Sequence, residues 1–201
     1  MFSTKEKIKE YAAAVILWLL MMWEDIRELL VTAAVTFLVC LGITTFVFQP
    51  VVVHGTSMYP TIRDGSMGFS SIITRRTKGI ERFDIVVINV ESSEKLLIKR
   101  VIGLPGETLE FINGVLYIDG KSYSEDFLNS DYVASQIPNS PEGVFTRDFS
   151  VTLGDDEYFC MGDNRLVSAD SRVYGPFHGS DILSCGIFII FPFSYFGVPG
   201  K

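Results

Sequence analysis

The chain has 201 residues, 48% of them hydrophobic, and a formal net charge of −7. From residue 49 onward it carries 13 basic and 19 acidic residues, and this acidic excess argues against a nucleic-acid partner. The hydrophobic fraction is high for a protein wholly exposed to water, and it indicates a membrane segment.

The first predicted element is a transmembrane helix over residues 29–48. This stretch contains no charged residue, and about 20 apolar residues are what a helix needs to cross about 30 Å of hydrocarbon. Segment 1–28 is predicted to be cytoplasmic or interfacial, because its apolar run 11–23 is too short to span and precedes charged residues. The basic residues before the span predict an N-terminus in the cytoplasm, with the rest of the chain outside the cytoplasmic membrane.

Residues 49–201 are predicted to form a mainly β domain. Several segments are rich in β-branched and aromatic residues and are bounded by Gly, Pro or Asp, the pattern of strands in an antiparallel sheet. Asn113-Gly114 and Asp119-Gly120 supply the positive φ angles of tight hairpin turns. The polar stretch 121–156 is predicted to be a lobe inserted between core strands.

The first candidate for chemistry is Ser57, in the stretch HGTSMYPT. Gly55 and Pro60 shape this turn so that one hydroxyl can be held exposed, although the same setting suits a structural serine. A nucleophilic serine also needs a base. His54 lies close in sequence, but no carboxylate is evident to orient it.

Lys99 is the second candidate. A lysine acts as a base only when neutral, so its pKa of about 10.4 must be lowered by burial. Lys99 lies in the apolar strand LLIKRVIGL and shares a face with Leu97 and Val101. If that face is core, Lys99 is desolvated. The alternative is a lysine at a sheet edge, with Arg100 facing solvent.

The third candidate stretch is GDNRLVSADSR, residues 162–172. Such a polar stretch can be a solvated loop. It can also hold a buried lysine in place, with Ser168 bonding the amine and Asp170 pairing with Arg172. The cysteines and histidines have no metal-type spacing, so no metal or cofactor is predicted. The sequence alone does not determine whether Cys160 and Cys185 form a disulfide.

These stretches, in this order and behind a transmembrane helix, resemble the type I signal peptidases, membrane-bound Ser/Lys proteases that remove signal peptides from exported proteins. GTSMYPT resembles the nucleophile box of that family, FDIVVI its structural strand box, IKRVIGLPGE its lysine box and GDNRLVSADSR its longest box. The resemblance extends from about residue 29 to the C-terminus. It implies an antiparallel β-sheet catalytic domain similar to that of the SOS-type repressors, and preprotein substrates with small residues before the cut, such as Ala-x-Ala.

The resemblance also implies roles for individual residues. Ser57 would be the nucleophile that forms an acyl-enzyme, with its backbone N–H as an oxyanion donor, and Lys99 would be the general base. Ser168 would orient the Lys99 amine, and Asp170 and Arg172 would form a salt bridge. The sequence departs from the family pattern at Gly55, where some members carry a hydroxyl, and at Phe83, where glycine is frequent.

Residues for substrate contact are predicted from their adjacency to Ser57 and Lys99 in the sequence, and residues for lipid contact from the aromatic C-terminal stretch. The shallow pockets for small substrate side chains are predicted to be lined by four apolar residues that serve equally well as core: Val51, Val53, Ile62 and Ile98. Membrane lipid and the export translocon are further predicted partners. Candidates for lipid contact near the C-terminus are Phe193, Tyr195 and Phe196.

The sequence also argues against two other functions. A self-cleaving repressor with a Ser/Lys site would need a DNA-binding domain, and this chain has an apolar anchor and an acidic exported part instead. A catalytically idle, membrane-tethered β module predicts inert residues at positions 57 and 99, where the chain has serine and lysine.

Overall fold

The computed structural model describes residues 4–90 and 95–200. The chain divides into two units, with the boundary between Thr45 and Phe46. Residues 1–3 of the predicted N-terminal segment lie outside the described residues, as does the C-terminal Lys201.

The first unit is one helix, α1, which covers Thr4–Phe46 and has 43 residues. Its apolar section Val15–Ile43 is long and apolar enough to cross a membrane. The predicted interfacial segment 11–23 and most of the predicted span 29–48 lie in this one continuous helix. The charged residues between them are good helix formers, with no glycine or proline to end the helix. The helix ends at Phe46 because Pro50 favours extended backbone before it, and the first strand begins at Phe48.

The second unit is built from strands numbered in chain order: β1 Phe48–Val52, β2 Met67–Ser71, β3 Ile85–Val90, β4 Lys95–Gly103, β5 Thr108–Ile112, β6 Val115–Ile118, β7 Lys121–Tyr123, β8 Phe149–Thr152, β9 Glu157–Met161, β10 Phe177–His178 and β11 Ile182–Phe191. Every pairing between these strands is antiparallel. The predicted fold class is therefore confirmed: an apolar N-terminal helix is followed by a mainly antiparallel β unit.

The larger sheet has seven strands in the order β1-β2-β11-β3-β4-β9-β10. In this sheet β4 lies between β3 and β9, so both of its edges are paired and side chains on either face can be buried. Within the described residues three short helices join the strands: α2 Ile72–Lys78, α3 Ser130–Gln136 and α4 Ser171–Tyr174. Single turns of 3₁₀ helix cover Ile137–Asn139, Gly179–Asp181 and Phe193–Tyr195.

The second sheet has the order β7-β6-β5-β8 and forms the lobe. Its two hairpin turns are those expected from the sequence, since Asn113 and Asp119 have φ angles of 51° and 49° and the following glycines are also positive. The lobe differs from the prediction in extent. It begins at Thr108 rather than at residue 121, because the hairpins themselves form its sheet.

The core consists of three apolar clusters. One lies between the central strands, around Val86 and Ile182, and one lies in the lobe, around Leu109 and Phe111. The third packs under the stretch that contains Ser57, and Met58 and Ile62 belong to it. Two buried cysteines complete the central cluster. Cys160 and Cys185 are free thiols rather than a disulfide, and burial raises the pKa of both, that of Cys185 to about 12.

Candidate active site

Ser57 and Lys99 meet although 42 positions separate them in the sequence. Ser57 lies in the turn after β1, and Lys99 lies on β4 opposite Val86 of β3. The Lys99 Nζ donates a hydrogen bond to Ser57 Oγ over 2.7 Å. Among the described residues, this amine is the hydrogen-bond partner of the hydroxyl, and His54 is not.

The Lys99 side chain is buried, with 2% of its surface exposed. Burial lowers its pKa from 10.5 to about 8, and the nearby Arg172 acts in the same direction, while Asp170 opposes it. A substantial fraction of the amine is therefore neutral just above neutral pH. A neutral lysine bonded to a serine hydroxyl is the arrangement that an amine base requires to activate a nucleophile.

Arg100 is also buried, with 1% of its surface exposed, so the alternative in which it faces solvent is wrong. It points to the opposite face of β4 and forms a two-bond ion pair with Asp163, with Nε–Oδ1 and Nη2–Oδ2 distances of 3.0 and 2.8 Å. It also donates to the Phe83 carbonyl over 2.9 Å. A charged residue in an otherwise apolar strand indicates that a buried ion pair can form there. The sequence of the strand does not identify the partner of Arg100.

Charged side chains of the polar stretch 162–172 lie close enough to Lys99 to act on the pKa of its amine. Asp170 and Arg172 form the expected ion pair, with Nε–Oδ1 and Nη2–Oδ2 distances of 2.8 Å each. Burial alone would raise the pKa of Asp170. The hydrogen bonds and charge of Arg172, together with the Gly162 N–H, instead hold that pKa below its ordinary value. The carboxylate therefore stays ionised beside the lysine.

Ser168 is buried in the same stretch, but no hydrogen bond joins it to Lys99. Within the described residues its Oγ has no partner of ordinary geometry, although it lies close enough to the Asp170 carboxylate to lower the pKa of that group. The polar stretch is packed tightly at Gly162. A Cβ at this position would lie 2.2 Å from Ser168 Oγ and 2.4 Å from the Ser57 carbonyl oxygen, so the close approach requires glycine.

The lobe contributes to the site, which the sequence did not indicate. Glu125 forms an ion pair with the buried Arg165, and Arg165 in turn donates to the Gly162 carbonyl over 3.1 Å. Tyr132 of α3 packs edge-on against Tyr59, with ring centroids 5.1 Å apart. The lobe therefore holds both the polar stretch and the turn that carries Ser57.

An apolar groove adjoins Ser57 and Lys99, with a cavity volume of about 470 Å³. Its walls are residues 49–54 after α1 and residues 96–99 at the start of β4. Three of the predicted pocket residues line it, namely Val51, Val53 and Ile98. Ile62 does not. It is fully buried in the cluster beneath the turn, because the turn folds it inward. Lining residues that the sequence did not indicate are Met58, Val87 and Leu97.

The two departures from the family pattern have structural counterparts. Gly55 has no side chain to offer, and its N–H donates to Asp64 Oδ1 over 2.8 Å. Phe83 has a φ of 69°, a left-handed conformation that glycine adopts without strain and phenylalanine does not. Its ring packs against Phe127, with centroids 5.0 Å apart, a favourable contact that opposes the cost of this backbone conformation.

Among the described residues, no group of three or more histidine, cysteine or acidic side chains is placed to hold a metal ion. A serine hydroxyl bonded to a desolvated lysine amine beside an apolar groove is an arrangement suited to a serine hydrolase.

Comparison with known proteins identifies the family. The sequence profile of the family described as "Signal peptidase, peptidase S26" matches residues 26–191. Signal peptidase I of Bacillus amyloliquefaciens is 40% identical over 174 residues, which cover 85% of this chain and 86% of the relative. Signal peptidase IB of Staphylococcus aureus (strain COL) is 32% identical over 184 residues, 87% of this chain and 94% of the relative.

A crystal structure of a signal peptidase I from Enterococcus faecalis V583 is 36% identical, covering 52% of this chain and 94% of that one with a TM-score of 0.46. The chain thus belongs to the signal peptidase family, peptidase S26. It is a serine endopeptidase, and the removal of signal peptides is the function of this family.

Proposed function

We propose that Ser57 is the nucleophile and Lys99 the general base of this endopeptidase. The observation that carries the proposal is the 2.7 Å hydrogen bond between Lys99 Nζ and Ser57 Oγ, made by an amine whose pKa burial lowers to about 8. Lys99 takes the proton of the hydroxyl as Ser57 Oγ attacks the scissile carbonyl carbon. The oxyanion that forms is stabilised by the Ser57 N–H.

Collapse of this tetrahedral intermediate breaks the peptide bond. Lys99 returns the proton to the leaving amine, and the signal peptide remains on Ser57 as an ester. Water, deprotonated by Lys99, then hydrolyses the ester. The ion pair of Asp170 and Arg172 holds the polar stretch together, and Ser168 orients the Lys99 amine.

The substrate is a preprotein segment in extended conformation, with its small side chains in the apolar groove. The two backbone segments that wall the groove lie beside Ser57 and Lys99, so a chain between them presents its carbonyl to the hydroxyl. The apolar side chains that line the groove, Met58 and Leu97 among them, suit small apolar substrate side chains. Cut sites of the Ala-x-Ala type are therefore the proposed specificity.

The cutting takes place at the outer face of the cytoplasmic membrane. The apolar section of α1 has the length and composition of a single-pass anchor, and the basic residues before it keep the N-terminus in the cytoplasm. Membrane lipid and the translocon are the proposed neighbours. Phe193 and Phe196 are 80% and 62% exposed and suit lipid contact, whereas Tyr195 packs against the core cluster and stacks on Arg63.

The test is cleavage of a preprotein ending in Ala-x-Ala by the full chain in detergent or lipid. Ser57→Ala and Lys99→Met should each lower kcat by about 10⁴-fold or more, as for nucleophile and base of other serine proteases. The matched controls are Ser122→Ala and Lys121→Met, exposed positions on β7, which should cleave like the unaltered chain. Cleavage that survives in Lys99→Met would assign the base elsewhere, and a folded but inactive unaltered chain would contradict the proposal as a whole.

A further inference from the structure

The turn that carries Ser57 is held by three consecutive residues of the polar stretch. Asn164 donates its backbone N–H to the Ser57 carbonyl over 3.0 Å and its side-chain Nδ2 to the Thr56 carbonyl over 3.1 Å. Asp163 accepts a 2.6 Å hydrogen bond from Thr61 Oγ1. Gly162 packs directly against the Ser57 carbonyl. The Asn164 side chain is the contact that reaches the peptide unit just before the serine.

Asn164 is buried, with 6% of its surface exposed. Its Nδ2 must face Thr56, because a backbone carbonyl accepts and an amide nitrogen donates. Its Oδ1 then has no hydrogen-bond partner among the described residues. Burying an amide oxygen without a partner costs free energy, so packing alone does not account for an asparagine at this position. The Nδ2 bond to Thr56 is the interaction that this side chain makes with the turn.

That bond also determines the direction of the Ser57 N–H. The Thr56 carbonyl and the Ser57 N–H belong to one planar trans peptide unit, in which the two groups point in opposite directions. Nδ2 and the Tyr59 N–H, at 3.1 Å each, both fix the Thr56 carbonyl. In the described part of the chain the Ser57 N–H has no protein acceptor. It is therefore held pointing away from Asn164 and is available to a ligand.

We propose that Asn164 is a positioning residue, which holds the Thr56–Ser57 peptide unit so that the Ser57 N–H faces the substrate oxyanion. The proposal rests on the function proposed above, because it requires Ser57 to be the nucleophile. Gly55 has no side-chain hydroxyl that could serve as a second oxyanion donor. The orientation of the one backbone donor, the Ser57 N–H, therefore matters more at this site. Asn164 itself contacts neither substrate nor reacting atoms, and it acts through the peptide unit.

The first test compares the kinetics of Asn164→Ala with those of the unaltered chain. Removing an oxyanion donor outright costs about 10²–10³ in kcat, and loss of its positioning should cost about 10- to 100-fold, with KM nearly unchanged. Thr61→Val removes the neighbouring anchor of the turn without touching the Thr56–Ser57 peptide, and it should lose much less kcat. Asn139→Ala, at an exposed position, should behave like the unaltered chain.

The second test separates positioning from a general loosening of the turn. A peptide aldehyde that ends in Ala-x-Ala adds to Ser57, and a carbon–oxygen bond forms as the serine proton passes to Lys99 and the aldehyde oxygen becomes an oxyanion. The matching peptide alcohol occupies the groove but forms no adduct. Asn164→Ala should weaken the binding of the aldehyde by the same factor by which it lowers kcat. It should change the affinity for the alcohol by no more than about twofold, because only the adduct uses the oxyanion donor. The pH midpoint of kcat/KM should not move.

Three outcomes would overturn the inference: equal weakening of aldehyde and alcohol, a loss in Thr61→Val equal to that in Asn164→Ala, or a kcat that Asn164→Ala leaves intact. If Asn164→Ala does not fold, Asn164→Asp keeps the shape and places an oxygen against the Thr56 carbonyl, and the same inhibitor pair applies to it. Cleavage by the unaltered chain, abolished in Ser57→Ala, shows that the proposed function holds whatever the result at Asn164.

Discussion

At the scale of the residue, the electrostatics of Lys99 decide what the site can do. Burial removes water from the amine, and the ion pair of Asp170 and Arg172 sets two opposing charges near it. Desolvation is the larger effect, and it brings the pKa to about 8. The amine can then give up its proton at a pH only slightly above neutral.

The first prediction concerns the pH dependence of cleavage. Only the neutral amine accepts a proton, so kcat/KM should rise with pH and reach half its plateau at about pH 8. Arg172→Gln removes a positive charge that lowers the pKa of Lys99 and leaves the Asp170 carboxylate unopposed, so the midpoint should move to higher pH. The measurement is the pH profile of peptide cleavage. Arg76→Gln, an exposed position on α2, is the control, and a downward shift in Arg172→Gln would contradict the electrostatic account.

The second prediction concerns stability. Lowering the pKa of Lys99 from 10.5 to about 8 corresponds to a cost of about 3 kcal/mol at pH 7. Lys99→Met should therefore be inactive yet more stable, by about 1–3 kcal/mol in the free energy of unfolding. Between pH 8 and 10.5 the unfolded chain binds more protons than the folded one, so the stability of the unaltered chain rises with pH and the difference shrinks. Denaturant unfolding at pH 7 and pH 10 measures both effects, and a less stable Lys99→Met at pH 7 would refute the argument.

At the scale of the element, β4 carries two adjacent cations, one on each face of the sheet. A central strand makes this possible because neighbours pair with both of its edges, so both side chains are enclosed. Lys99 is left with a hydroxyl as its partner, whereas Arg100 is matched by the Asp163 carboxylate. One strand therefore supplies both the reactive amine and an ion pair that anchors the polar stretch.

The third prediction tests that ion pair. Arg100→Met leaves the Asp163 carboxylate buried without its charge partner, and breaking such a pair costs about 3–5 kcal/mol. Arg100→Met combined with Asp163→Leu removes both charges and should recover part of that loss, since a buried pair is often replaceable by apolar groups. The free energies of unfolding of the single and double variants give the answer. Arg147→Met is the exposed control, and a double variant no better than Arg100→Met would count against a paired role.

The elements also show where prediction from sequence works. The hairpin turns were predictable because Asn113 and Gly114 encode a local backbone conformation that needs no tertiary partner. The burial of Arg100 was not, because its partner lies 63 positions away and only the pairing of β4 with β9 brings them together. Ile62 was assigned to the groove from adjacency in sequence, but the turn folds it beneath Ser57. The pairing of Ser57 with Lys99 was available from the family resemblance, whereas strand periodicity left it undecided.

At the scale of the whole molecule, the chain combines an apolar helix with a β unit that has its own core. The proposed catalytic residues Ser57 and Lys99 and the polar stretch all belong to the β unit. The contribution of the helix is to anchor the protein to the membrane. A tethered enzyme and a membrane-bound substrate share a small volume, which raises the effective concentration of one for the other.

The fourth prediction concerns the orientation in the membrane. Single cysteines at Lys5 and at the exposed Asp126 of the lobe should react differently with a membrane-impermeant maleimide. Asp126→Cys should be labelled in intact cells or spheroplasts, and Lys5→Cys only after permeabilisation. The native thiols give little background, because Cys160 and Cys185 are buried and Cys40 lies in the apolar section of α1. Labelling of Lys5→Cys in intact cells would reverse the proposed orientation.

The two unlinked thiols of the central core have a consequence for the folding of the β unit. Cys160 and Cys185 are protonated, enclosed and unbridged, and thiols of this kind react slowly with oxidants. The β unit therefore needs no disulfide-forming catalyst in order to fold. Its activity should also be indifferent to aeration and to added reductant.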